Sequence, residues 1–313
     1  PPSRQPTRRR PPPSGGRRCL FTGRVEVIIY LSEFHFASEN AEWQFFCRQR
    51  RTCYDSYFPF QLFPERELQQ LELADVTILY GGNGSGKTTA LNVVAQTLGL
   101  RRGAPFNTTS FFPDYCRLCS AHLLHPLPPD SWILTSDDVF DFMMDLRAIN
   151  DGIDRRRDGL MEEVQDARYA RVRMNTLADY DRLKLTVEAR RRSDSQYARA
   201  RLMHNVRTHS NGESAFLFFT QRIRPGALYL LDEPENSLAP DRQQELARYL
   251  VDSARFYDCQ FLIATHSPFL LAMPGARVYD LDSRPVRPRR WTELPSVRAY
   301  YEFFRDHAAA FEP

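Results

Sequence analysis

Lysine is almost missing from this sequence: of 42 basic residues only Lys87 and Lys184 are lysines, and the other 40 are arginines. Arginine suits bidentate contacts to phosphate or carboxylate, but a GC-rich genome yields the same bias, so the ratio alone assigns no partner. The formal net charge is only +3, which excludes a whole-protein field of the kind that gathers nucleic acid. Long apolar runs are missing too. Those present, such as Phe216–Phe219 and Phe261–Ala264, are the size of a strand or helix segment, against the roughly 18 residues that cross a bilayer. No membrane association is expected. Six cysteines in 313 residues make no obvious disulfide framework in a chain this large. No apolar core follows the basic N-terminus, as it would in a signal peptide, and cytoplasmic, reducing surroundings are the expectation. Residues 1–18 contain no acid, but six arginines and six prolines. That composition makes no core and reads as a disordered arm. An inert leader explains it more simply than a nucleic-acid contact.

Hydrophobic residues make up 42 % of the chain, enough for a sizeable core. From about Cys19 to Leu73 the pattern is strand-like, with Val25–Tyr30 predicted as a strand and Tyr57-Phe58-Pro59-Phe60 as a turn-prone aromatic patch. Val76–Tyr80 is a short β-branched apolar run that suits a buried parallel strand. A Gly-rich loop follows, then a predicted helix over Thr88–Leu98 closed by Gly99. Residues 139–209 are dense in charge with apolar residues at helical spacing (Leu160, Val164, Ala167; Leu177, Tyr180, Leu183) and predict a helical insert of two or three helices. Ala227–Leu231 and Phe261–Thr265 are again short buried strands, flanking an amphipathic helix over Asp241–Phe256 opened by Pro240. This alternation indicates an α/β protein built on a parallel sheet.

Gly81-Gly82-Asn83-Gly84-Ser85-Gly86-Lys87-Thr88 fits the phosphate-loop pattern in full. Glycines let backbone N–H groups wrap phosphates without Cβ clashes, and the following helix points its positive end at the same anion. Lys87 supplies a mobile charge for the β- and γ-phosphates, the Thr88 hydroxyl is a Mg²⁺ ligand, and Thr89 completes the binding set. That one of two lysines stands here, in a chain that otherwise uses arginine, fits a role the wider guanidinium would not fill. Leu228–Glu233 is an apolar strand ending in two carboxylates. Asp232 is the expected Mg²⁺ residue and Glu233 the base that polarises the attacking water. His266 follows the strand Phe261–Thr265 at the sheet edge where ligands bind in α/β folds and is a candidate γ-phosphate contact. Ser210-Asn211-Gly212-Glu213 precedes the apolar run Ala215–Phe219. It reads equally as a capping box and as an anion site at a helix N-terminus.

The order Gly81–Thr88, Ser210–Glu213, Leu231–Glu233, His266 resembles the ABC ATPases, with their Walker A, signature, Walker B and switch histidine. The stretch Asp232–Pro240 looks like that class's D-loop region. Gly82–Lys87 and Thr265–Leu270 are most similar to small soluble AAA-type ATPases of the SMC/RecF-like branch. The resemblance covers roughly residues 57–283. It implies an ABC-type head with an N-terminal β subdomain and a helical insert, forming one domain from residue 19 to 313. It further implies ATP and Mg²⁺ as ligands, and a head-to-tail homodimer in which Ser210 and Gly212 of one subunit meet the γ-phosphate held by the other. Asn211 and Glu213 depart from the transporter signature, and no Q-loop Gln is evident. After the strand Trp132–Thr135, where one is expected, Asp137 or Asp138 is the candidate replacement. The insert is too short for a long coiled-coil arm.

Two further clusters stand out. Cys116, Cys119, His122 and His125 are zinc-type ligands, but spaced by threes they would form one drifting stripe on a helix, and packed thiols and imidazoles are the simpler reading. Arg155–Arg157 and Arg190–Arg192 would neutralise phosphates, yet interleaved acids favour a solvated face. DNA or RNA processing, as in repair or phage defence, and ATP-gated control of a separately encoded effector protein both remain open as the output.

Overall fold

The computed structural model describes residues 28–50, 53–54, 56–169, 187 and 211–311. In chain order these form β1 (Leu31–His35), α1 (Glu39–Arg48), β2 (Gln70–Glu72), β3 (Val76–Tyr80), α2 (Lys87–Leu98), β4 (Arg101–Arg102), α3 (Phe112–Cys116), β5 (Ser120–Leu123) and β6 (Trp132–Thr135). They continue with α4 (Ser136–Tyr169), α5 (Asn211–Arg222), β7 (Leu228–Asp232), α6 (Pro240–Phe256), β8 (Gln260–Ala264), α7 (Pro268–Leu271), β9 (Arg277–Asp280), β10 (Arg287–Arg289) and α8 (Pro295–Asp306).

A strand covered on both faces needs burial at every position, and all five residues are buried in each of β3, β7 and β8. These strands form the centre of a seven-stranded sheet ordered β10-β9-β3-β8-β7-β6-β4. Only β10 runs antiparallel within it. Alternate side chains point to opposite faces, which splits the core in two. Tyr229, Leu231, Phe261 and Ile263 pack with Phe218, Phe219, Leu246 and Leu250 from α5 and α6. Leu228, Leu230, Leu262 and Ala264 pack with Leu91 and Val94 of α2 and with Phe34, Phe63 and Phe111 of the N-terminal region. That region holds the second sheet, three antiparallel strands ordered β2-β1-β5. The side chain of Gln260 joins it to the main sheet. Its Oε1 accepts from Tyr30 N (3.0 Å) and Leu31 N (2.9 Å), and its Nε2 donates to Leu31 O (2.7 Å) and Ala74 O (3.0 Å).

Several local expectations needed correction. The first strand begins at Leu31, and Ile28–Tyr30 precede it outside any strand. The 19–73 region is not all strand-like: Ser38 caps α1 by accepting from Ala41 N, and capping chemistry there overrides the aromatic, strand-like composition. Cys116, Cys119, His122 and His125 do not share a helix. Cys116 ends α3, Cys119 follows in a turn and His122 lies in β5, bonded to Ser32 Oγ at 2.7 Å. Among the described residues, no group of three or more His, Cys, Asp or Glu is arranged to hold a metal. The helical insert starts as one continuous helix, α4, with Leu160 and Val164 buried. Of its predicted remainder, Leu177, Tyr180, Leu183 and Arg190–Arg192 lie outside the described residues, as do the 1–18 arm and Ser210.

Candidate nucleotide site

Pairing register sets the site. Leu79 is opposite Ala264, Ala264 opposite Asp232, and Asp232 opposite Thr135. The loops after β3, β8, β7 and β6 therefore leave the sheet at one level and converge at its C-terminal edge, the usual ligand position in open α/β sheets.

The loop after β3 is shaped by its glycines. A Cβ on Gly81 would lie 2.6 Å from Ser85 Oγ, and Gly84 and Gly86 have φ of +78° and +91°, a region that only glycine enters at low cost. Gly86 ends the loop and α2 begins at Lys87. Lys87 is 5 % exposed. Its Nζ donates to Gly81 O (2.8 Å) and Gly82 O (3.2 Å), and lies 2.9 Å from His266 Nε2 and 4.0 Å from Glu233 Oε1. Burial lowers its pKa, while Glu233, Asp232, Asp282 and Glu235 pull it back up. Thr88 Oγ1 donates to Asp232 Oδ1 at 3.1 Å. Asp232 is nearly enclosed, and burial raises its pKa to about 6, with Glu233 adding to the rise and the Thr88 bond and Lys87 opposing it. A buried carboxylate so incompletely neutralised, with a hydroxyl beside it, fits the hard-oxygen preference of a divalent cation.

Glu233 has φ of +47°, an uncommon conformation for a non-glycine residue that concentrates at working sites. Its Oε1 lies 3.3 Å from His266 Nε2, and its Oε2 accepts from Asn236 Nδ2 at 3.1 Å. The segment Thr265–Ser267 is held by a residue that the sequence pattern did not single out. Glu235 Oε1 accepts from Thr265 Oγ1 (2.6 Å), His266 N (2.6 Å) and Ser267 N (3.2 Å). Its only sequence signal was its place within the Asp232–Pro240 stretch. The structure also separates the two Q-loop candidates. Asp138 is 9 % exposed and accepts from Ala104 N (2.7 Å) and from Thr135 N and Oγ1 (2.8 Å each). Asp137 lines a cavity of about 280 Å³ shared with Thr88, Thr89, Asn92, Arg102 and Asp232.

Gly212 and Glu213 lie in the first turn of α5. A Cβ on Gly212 would lie 3.4 Å from Ser237 O, and Glu213 pairs with Arg242 of α6 at 3.6 Å. The side chain of Asn211, like Ser210, lies outside the described residues.

Residues 117–272 match the family model described as "AAA domain, putative AbiEii toxin, Type IV TA system". The match spans β7 and His266 but not the glycine loop after β3. The fold is mixed α/β, built on a predominantly parallel sheet. Among solved structures, an Smc head domain with an extended coiled coil, bound to the C-terminal domain of ScpA and derived from Pyrococcus furiosus, is 13 % identical. That alignment covers 76 % of this chain and 95 % of that one, with a TM-score of 0.38. An SMC head domain from Thermotoga maritima is 11 % identical over 71 % of this chain and 92 % of its own, with a TM-score of 0.32. A dimeric ATP-binding cassette in a post-hydrolysis state with ADP and Pi is 14 % identical over 72 % and 90 %, with a TM-score of 0.33. No curated protein sequence matches the chain. No described helix is long and apolar enough to cross a membrane.

Proposed function

We propose that the chain binds Mg²⁺-ATP at Gly81–Thr89 and hydrolyses it as a head-to-tail homodimer. The observation that carries this reading is the gathering of Lys87, Glu233 and His266 within 4.0 Å of one another beside the Thr88–Asp232 pair. Lys87 and the loop amides hold the phosphates. Glu233, oriented by Asn236, takes a proton from water as its oxygen attacks the γ-phosphorus and the bond to ADP breaks. His266, held by Glu235, steadies charge on the γ-phosphate. Thr88 and Asp232 would hold Mg²⁺, which neutralises phosphate charge. Asp137 faces the same cavity and is the better candidate for the Q-loop role. Ser210, Asn211, Gly212 and Glu213 of the second copy would close the site, since a helix N-terminus favours an anion.

For the output we favour nucleic-acid processing, on the SMC/RecF-like style of the motifs. The second reading, an ATP-gated switch acting on a separately encoded protein, is favoured by α8, which leaves Tyr300, Tyr301, Phe303 and Phe304 each more than half exposed. Exposed aromatic side chains gathered on one helix are typical of a protein contact. The matched family's toxin–antitoxin description accords with either. Steady-state hydrolysis tests the core proposal: Glu233→Gln should lower turnover at least about 100-fold while nucleotide binding persists. Unchanged turnover would sink it. Light scattering should find that variant dimeric in saturating Mg²⁺-ATP, and a monomer would end the sandwich arrangement. Stimulation by DNA or RNA that is lost at raised salt supports the first output. Indifference to both, with co-purification of a neighbouring gene's product, supports the second.

A further inference from the structure

The phosphate loop is gripped from outside its own motif by two charged residues. Past β9, the exposed Asp282 accepts from Gly82 N through Oδ2 at 2.6 Å. Arg66, in a short 3₁₀ turn, donates from Nη1 to Leu281 O (2.8 Å) and from Nη2 to Gly84 O (2.9 Å). A Cβ on Gly81 would lie 3.3 Å from Leu281 Cβ, so the 281–282 turn packs directly against the start of the loop. One residue therefore anchors an amide at the base of the loop and the other a carbonyl at its tip.

Their charges act in opposite senses on what the loop holds. Asp282 is one of four carboxylates whose field reaches Lys87. Asp232 and Glu233 have roles in the proposed chemistry, and Glu235 is spent on the Thr265–Ser267 backbone. Asp282 adds negative charge beside an anion site with no proton or metal to handle. We propose that Asp282 sets nucleotide affinity through two opposed effects: its carboxylate oxygen, with Arg66, fixes the loop backbone, while its charge repels the bound phosphates. This rests on the nucleotide reading of the site. It makes Asp282 and Arg66 positioning residues whose net effect is a loop that is well ordered yet holds its ligand loosely.

The test is equilibrium binding of a fluorescent ATP analogue with Mg²⁺ to the full chain. Asp282→Asn keeps an acceptor of the same shape and removes the charge. Its Kd should fall about fivefold at low salt, with the gain shrinking as salt is raised and smaller for the ADP analogue. The melting temperature without nucleotide should not move, because the side chain is exposed. Arg66→Ala should weaken binding about tenfold and Arg66→Lys should restore part of it. Asp282→Asn binding equally or more weakly, or a gain indifferent to salt, overturns the charge effect. Arg66→Ala binding as the wild type overturns the anchor. Failure of the wild-type chain to bind the analogue would instead overturn the nucleotide reading itself.

Discussion

Glu42 offers a measurable link between a buried carboxylate and the segment that covers the phosphate loop. It lies in α1, is 3 % exposed, and its Oε2 accepts from Gln61 N at 2.8 Å, while its Oε1 has no hydrogen-bond partner among the described residues. Gln61 has φ of 70°, and the next residue, Leu62, would lie 3.3 Å from a Cβ on Gly86. Burial raises the Glu42 pKa from 4.5 to about 7, with the Gln61 bond opposing and Glu39 adding to the rise. The folded state thus favours the protonated acid. Its contribution to stability is complete below pH 4.5 and is lost as pH rises through about 7. The gap corresponds to about 3 kcal/mol. Glu42→Gln keeps an acceptor for Gln61 N and never ionises, so at pH 8 the variant should be more stable than wild type by up to that amount. The difference should vanish near pH 4.5. Urea midpoints measured across pH 4.5–8.5 check this, and in a melting experiment the gain at pH 8 should be about 5 °C. Two stability profiles that run parallel across that range would refute the reasoning, because they would place the Glu42 pKa at its ordinary value.

Gln260→Leu removes four hydrogen bonds that tie β8 to the N-terminal region and strands backbone groups of Tyr30, Leu31 and Ala74, so a loss of about 3 kcal/mol or more in denaturant unfolding is expected. Glu235→Ala frees the His266 segment, and turnover should fall between about tenfold and a hundredfold with little change in ATP affinity; an equal loss of affinity would show that Glu235 supports the binding loop instead. Asp138→Asn places a donor against the Ala104 or Thr135 amides and should cost about 2 kcal/mol of stability. Asp137→Asn should leave stability unchanged and lower turnover. The reverse pattern in melting and hydrolysis assays would exchange the two assignments.

The parallel sheet and the glycine loop after β3 were legible in the chain because short-range rules govern them. β3 and β6 fall where their apolar runs place them, and α2 begins one residue before the predicted Thr88, at Lys87, directly after the glycine that the motif itself demands. β7 and β8 shift by a single residue. The N-terminal region was misread because aromatic runs there serve a packed interior. Phe36 stacks on Phe63 and Phe45 on Phe60, contacts between residues distant in sequence that impose helix and turn on segments with strand-like composition.

At the site, the sequence by itself determined the chemistry available: a glycine loop with its lysine and threonine, two carboxylates at a strand end, and a histidine after the next strand. Those types and spacings follow from what phosphate, metal and water require of nearby groups. Which of Asp137 and Asp138 faces the cavity was decided only by tertiary structure, since the choice depends on a turn at Ala104 that claims one of them. Glu235, Arg66 and Asp282 were decided there as well. Asp282 meets the glycine loop from 200 residues away, and no local pattern records a hydrogen bond between the ends of two strands that become neighbours only in the folded sheet.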